Sequence, residues 1–209
     1  MRPAGEARAR VAIAYQGEPG AFSELAILDA WGSTARAVPH AEFADVVRAV
    51  AQGRVDFGLL PVENSIAGRV ASSLAAIDGS SLYVVGNIEH PIRLCLLAPT
   101  GATIASLRSV ESHPVALAQC GAFLRAHPRL EARPVFDTAG AARMVAAAHD
   151  VSRAAIASSR AAELHALTIV RAGIEDHAGN VTRFAVLSRD AAMRPSALDS
   201  TRPGVMLDA

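Results

Sequence analysis

The chain has 209 residues, 51% of them hydrophobic, and its 20 Lys and Arg residues balance 20 Asp and Glu. This suffices for one good core or two small ones, since domains usually hold roughly 100 to 150 residues, and the neutral balance excludes a broad field for nucleic acid or an anionic membrane. Cys95 and Cys120 form no CxxC pair, the seven histidines include no HExxH or Cys/His cluster, and no run of about 20 apolar residues appears, which predicts a cytoplasmic protein with no metal, no membrane span and no nucleic-acid partner.

Apolar runs of strand length alternate with segments of helical period, the pattern of an α/β protein. VAIAYQG reads as a first strand. SELAILDAWG reads as a helix with Leu25 and Leu28 inward and Gly32 closing it. In EFADVVRAVAQG, Phe43, Val46, Val47 and Val50 fall at i, i+3, i+4 and i+7, a core-facing stripe. VDFGLLPV is a strand, and Val70, Leu74 and Ile77 mark the next helical face. LYVVGNIEHPIRLCLLAP is long for one strand, and Pro91 in its middle cannot donate to a ladder, so it reads as a crossover between two lobes. Beyond it follow a strand at SVES, a helix from Pro114, a strand RPVFD, a helix opened by Thr138, a strand AAIAS, a helix capped by Ser158 or Ser159, and strands TIVR and VTRFAVLSR. After Asp190 periodicity fades into a tail.

In open α/β sheets, ligands sit beyond the carboxyl ends of strands, where helix N-termini offer free N–H groups. Four segments place polar residues there. YQGEPGAFSE offers Ser23 as a cap, and LLPVENSIAG delivers Glu63, Asn64 and Ser65 from a buried strand just before Gly68 turns the chain. ESHPVALAQC offers Ser112 or His113 as a cap with Gln119 beyond, and NVTRF sets Thr182 on one strand face and Val181 and Arg183 on the other. Each has an ordinary role when taken singly: the serines as caps, Asn64 as a turn residue, Arg183 as an ion-pair partner and Glu63 as a structural acceptor. Cys120 and His113 are seven residues apart on one helix, a rise of roughly 10 Å, too far for a hydrogen-bonded nucleophile pair, and Cys120 reads as core. No GxSxG, GxGxxG or Walker loop occurs, so nothing suggests a nucleotide cofactor.

As a set, YQGEPGAFSE, GLLPVENSIAGRV, ESHPVALAQC, DTAGAARMVA, AAIASSRAAELHAL and IEDHAGNVTRF resemble the prephenate dehydratase catalytic domain, over roughly residues 10 to 190. The resemblance implies a cofactor-free conversion of prephenate into phenylpyruvate, carbon dioxide and water, in phenylalanine biosynthesis. It implies two α/β lobes around a cleft, similar to type II periplasmic binding proteins: residues 10–88 plus 183–190 in one, 89–182 in the other, and 191–209 as the tail. A tail of that length is too short for a phenylalanine-sensing ACT domain, so feedback inhibition through one is not expected. Thr182 takes the family's role at the leaving hydroxyl, with Glu63 and Asn64 assisting; Ser23, Ser65, Ser112, His113, Gln119, Arg183 and Phe184 are the expected substrate contacts. A homodimer is expected.

Two departures bear on the substrate. Ile66 and Ala67 follow Asn64 and Ser65 where members often carry threonine or serine, and relatives that accept arogenate also carry an apolar residue there. Leu94 stands where many members carry histidine. Two further readings remain: a prephenate decarboxylase that does not aromatise its substrate, whose known relatives lack the threonine at position 182, and a non-catalytic binder of aromatic acids.

Overall fold

The computed structural model describes residues 10–195. Of the expected tail, residues 196–209 lie outside these. In chain order the elements are β1 (Val11–Gln16), α1 (Phe22–Trp31), β2 (Ala35–His40), α2 (Phe43–Ala51), β3 (Phe57–Asn64), β4 (Gly68–Arg69), α3 (Ala71–Asp78) and β5 (Tyr83–Pro91). They continue with β6 (Cys95–Ala98), β7 (Ser109–Ser112), α4 (Pro114–Gln119), α5 (Gly121–Ala126), β8 (Glu131–Pro134), α6 (Thr138–Ala148), β9 (Arg153–Ala157), α7 (Ser159–Leu164), β10 (Thr168–Ala172) and β11 (Val181–Ser188).

The strands build two sheets. One runs β2-β1-β3-β11-β5, with β4 added to β3; the other runs β10-β6-β9-β7-β8. Each is apolar on both faces because helices cover both, which is why its central strands read as unbroken apolar runs rather than alternating ones. Ile13, Tyr15, Ile27, Trp31, Phe57 and Phe184 fill one side of the first sheet, and Val46, Val50, Leu60 and Leu187 the other. The second sheet buries Leu96, Val110, Leu117 and Ile156 on one side and a small-residue layer including Ala141, Ala142, Ala155 and Ala161 on the other. The molecule is thus a pair of α/β lobes.

Chain order and space diverge at one strand. β11, the last among the described residues, lies between β3 and β5 and is antiparallel to both. The lobe boundaries expected at 88/89 and 182/183 therefore fall inside β5 and β11, which stay paired as far as Pro91 and Val181. Between them the crossover is laced by Ile92 N–H donating to the Asn180 carbonyl at 2.8 Å and Ser65 N–H to that of Val181 at 2.9 Å.

Several local expectations change. β2 was not expected, because ARAVPH contains Pro39 and alternates too weakly; as a sheet edge it tolerates both. On α1 the fully buried face is Ala26, Ile27 and Trp31, with Leu25 and Leu28 only half-buried. The segment from Pro114 breaks at Cys120 into α4 and α5. β8 ends at Pro134 rather than continuing through Asp137, since its partner β7 stops at Ser112, opposite Pro134.

The lobes also touch across the mouth of the cleft. Glu18, in the loop after β1, takes a bidentate ion pair from Arg143 of α6 at 2.6 and 2.9 Å, and Ser158 Oγ donates to the Gly20 carbonyl at 2.6 Å. Gly20 has φ +95°, and a Cβ there would stand 3.0 Å from Ala161, so both conformation and space require glycine.

Candidate active site

A cavity of about 370 Å³ opens between the lobes. Its floor is the end of the β3/β11 ladder, where Asn64 and Thr182 are directly paired. Three helix starts form the walls: Ala21, Phe22 and Ser23 of α1, His113, Val115 and Ala116 of α4, and Asp137 and Thr138 of α6. Phe184, Pro61, Ile92 and Leu94 supply apolar surface. The site is where open α/β architecture places one, beyond strand ends and facing helix N-termini. No Lys or Arg lines it among the described residues, so an anion there meets dipoles and hydrogen-bond donors rather than a cation.

The polarity of the floor follows bond by bond. Asn64 Oδ1 accepts the N–H groups of Ile66 and Ala67 at 3.0 and 2.8 Å, which aims its Nδ2 at Thr182 Oγ1, 2.9 Å away, and at Asn180 Oδ1, 2.7 Å away. Having accepted from Asn64, the Thr182 hydroxyl has its own proton left to donate, and no protein acceptor for it lies among the described residues. On the facing wall His113 Nδ1 accepts from the Val115 N–H at 3.2 Å as the cap of α4, so in the neutral ring the proton sits on Nε2.

The expected site residues divide. Ser23, Asn64, His113, Gln119, Thr182 and Phe184 line the cavity; Glu63, Ser65, Ser112 and Arg183 do not. Glu63 and Arg183 are one residue along from Asn64 and Thr182, so strand alternation turns them to the opposite face, where they form an ion pair. Ser112 is fully buried and donates to the Ile156 carbonyl at 2.6 Å, which ties β7 to its neighbour instead of meeting a ligand. Ser65 Oγ accepts the Val181 N–H at 3.0 Å and braces the crossover. Ser23 does line the cleft but is not a cap: Gly20 turns the chain early, α1 starts at Phe22, and Glu24 Oε2 accepts the Gly20 N–H at 2.5 Å. Cys120 is core, its thiol pushed up to about 12 by burial, with Asp176 and Glu175 adding to the shift.

Sequence reasoning missed Gln16, Asp137 and Asn180. Gln16 ends β1 and Asp137 caps α6 through the Gly140 N–H at 2.6 Å, positions that the rule of strand ends and helix starts marks in advance. Asn180 does not line the cavity; it is buried beneath it, and its position just before the TRF triplet gave no signal of its own.

The family model for prephenate dehydratase matches residues 13–192. The chain is 42% identical over 181 residues to arogenate dehydratase/prephenate dehydratase 2 of Arabidopsis thaliana, covering 87% of this chain and 47% of that protein. It is 40% identical over 199 residues to a bifunctional N-acyl-homoserine lactone acylase/prephenate dehydratase of Komagataeibacter europaeus, covering 93% and 67%. The solved prephenate dehydratase of Arthrobacter aurescens superposes with a TM-score of 0.81 at 28% identity, over 88% of this chain and 62% of that one. The chain thus spans about half the length of the plant relative. Sequence, fold and cleft agree that it belongs to the prephenate dehydratase family.

Proposed function

We propose that the cleft converts prephenate into phenylpyruvate, carbon dioxide and water. The observation that carries this is the Thr182 hydroxyl, whose oxygen is held by Asn64 and whose proton meets no protein acceptor among the described residues. In the reaction the bond from the ring to its carboxylate breaks, its electron pair enters the ring, and the opposite C–O bond leaves with a pair as hydroxide. Nothing is oxidised or reduced overall, so no electron carrier is required. Donation from Thr182 stabilises charge on the departing oxygen, which becomes water with one proton drawn from solvent, the proton that the reaction consumes overall. Gln119 and His113 supply donors, and the starts of α1 and α6 supply positive dipole ends. Dipoles suit this chemistry, because a salt bridge to the ring carboxylate would stabilise the ground state and hold back decarboxylation. Glu63 takes no part: its carboxylate is engaged by Arg183 on the other face.

The test is to mix the purified protein with prephenate at neutral to alkaline pH and identify the product by mass and ultraviolet spectrum, beside Thr182→Ala. Phenylpyruvate from the wild type and almost none from the variant is the expected result. A non-aromatic decarboxylated product makes the protein a decarboxylase, and binding of phenylpyruvate without turnover makes it a binder.

A second substrate is favoured by one feature. Asp137 is the only Asp or Glu in the cavity wall among the described residues. Arogenate carries an ammonium where prephenate has a ketone, and a nearby carboxylate favours that charge. Asp137→Asn keeps a capping side chain and should lower kcat/KM for arogenate about tenfold relative to prephenate, the scale of one partly solvated charge contact.

The finer assignments belong to the same reading. The division into residues 10–91 with 181–190 and 92–180 rests on sheet membership. A cytoplasmic location accords with two free, buried cysteines. A homodimer accords with exposed Tyr83 and Val84 on β5, the sheet edge, and light scattering tests it.

A further inference from the structure

We propose that Asn180 is a positioning residue that sets the polarity of the cleft by relaying the direction of one side-chain amide to another across the two lobes. A carboxamide in a network is ambiguous until something fixes which end donates. Here the Ile66 and Ala67 N–H groups fix it, because both donate to Asn64 Oδ1. Asn64 Nδ2 is then a donor, so the atom of Asn180 that receives it at 2.7 Å is Oδ1. Asn180 Nδ2 is left as the donor to Gln119, at 3.2 Å, and the atom of Gln119 that receives it is Oε1. Gln119 lines the cavity, and with its oxygen occupied it has its Nε2–H group to offer a ligand.

Two backbone N–H groups in the first lobe thereby determine that a side chain on α4, in the second lobe, meets substrate as a donor. Asn64 holds Thr182 directly, so the branch that depends on Asn180 is the one that orients Gln119. Asn180 is 3% exposed and its own carbonyl accepts the Ile92 N–H, so it is seated where the lobes join. In a cavity lined by no Arg or Lys among the described residues, the sign of each amide decides whether a carboxylate is welcomed or repelled.

The role rests on the dehydratase reading for its kinetic test and has a second readout that does not. Asn180→Leu, close in size, removes the bond to Gln119 and leaves the Asn64–Thr182 bond in place. The expected result with prephenate is a rise in KM of about tenfold through Gln119, or ~1.4 kcal/mol, with kcat changed much less because Thr182 keeps its bond to Asn64. In a Gln119→Met background the KM rise should vanish. Kinetics within about twofold of wild type, or a KM rise undiminished in that background, overturns the proposal; the twofold margin is under half of the ~1.4 kcal/mol that a tenfold change represents.

Should Asn180→Leu fail to fold, Asn180→Asp keeps the shape and the acceptor but loses the donor, and its KM rise should likewise vanish beside Gln119→Met. Independently of turnover, the side-chain amide protons of Asn64 should exchange slowly with solvent in the wild type and faster in Asn180→Leu, read by ¹⁵N spectroscopy. Unchanged exchange counts against the relay even if prephenate is consumed. Absence of prephenate turnover by the wild type, with the exchange difference present, sinks the dehydratase reading and leaves the relay standing.

Discussion

Two successive rungs of one ladder have opposite fates. Asn64, Thr182 and His90 stand side by side on β3, β11 and β5, and one residue along stand Glu63, Arg183 and Glu89. The backbone is shared and the neighbours differ by about 3.3 Å of chain. Because successive side chains point to opposite faces, Asn64 and Thr182 enter the cleft, whereas Glu63 and Arg183 pair with each other outside it. The second rung carries the stronger charges and, by sequence alone, looks the more catalytic. Placement outranks charge: an uncharged hydroxyl at the right face is positioned to act, and a carboxylate at the wrong one is bracing.

The contrast can be broken most severely at Thr182. Thr182→Val preserves shape and removes the donor, and kcat with prephenate should fall by about 10²- to 10³-fold with little change in Tm. Asn64→Leu should come next: it frees Thr182 and leaves two turn N–H groups unpaired, lowering kcat about 10²-fold and stability by about 1–3 kcal/mol, read by denaturant titration. On the second rung, Glu63→Gln should leave kcat/KM within about twofold at every pH. Its side chain and that of Arg183 are 42% and 39% exposed, so solvent screening limits the pair to about 0–1 kcal/mol of stability. A large, pH-dependent loss in Glu63→Gln would mean that both rungs serve catalysis.

The smallest expected effect is at His90. Burial holds its pKa below the usual histidine value, with Asp29 at 3.4 Å opposing the shift. The unfolded chain therefore binds a proton more readily than the folded one. The neutral ring's contribution is present above the ordinary histidine pKa and is lost as pH falls through the lower, folded value. His90→Gln should flatten the decline in Tm on that acidic side and leave the neutral-pH rate nearly unchanged.

Much of this was readable in advance, for physical reasons that also explain the failures. Central strands and α2 announced themselves through apolar runs and a 3.6-residue period, since both are set by burial. Thr182, Asn64 and Gln119 were legible because they stand in short, specific motifs. β2 was hidden because an edge strand needs neither apolar continuity nor every N–H. Ser112 and Ser65 looked like ligands because a serine at a strand end looks the same whether it faces a cavity or a backbone carbonyl; only the fold supplied Ile156 and Val181 as partners. Asn180 was invisible because its role depends on Asn64 and Gln119, which are 116 and 61 residues away.

The position of β11 has a consequence in time. Translation delivers β3 and β5 well before the strand that belongs between them. Until the chain has been made past residue 180, the first lobe holds two unpaired edges where its centre should be, a hazard for pairing with other nascent chains. Closing that gap joins residues separated by at least 90 positions, from Val181 with Pro91 onward, a long loop that slows folding. The second lobe, contiguous in sequence from β6 to β10, is free to form first. Thr182 arrives on the strand that completes the first lobe, so the cleft floor, with Asn64 and Thr182 side by side, assembles only after both lobes have been synthesised.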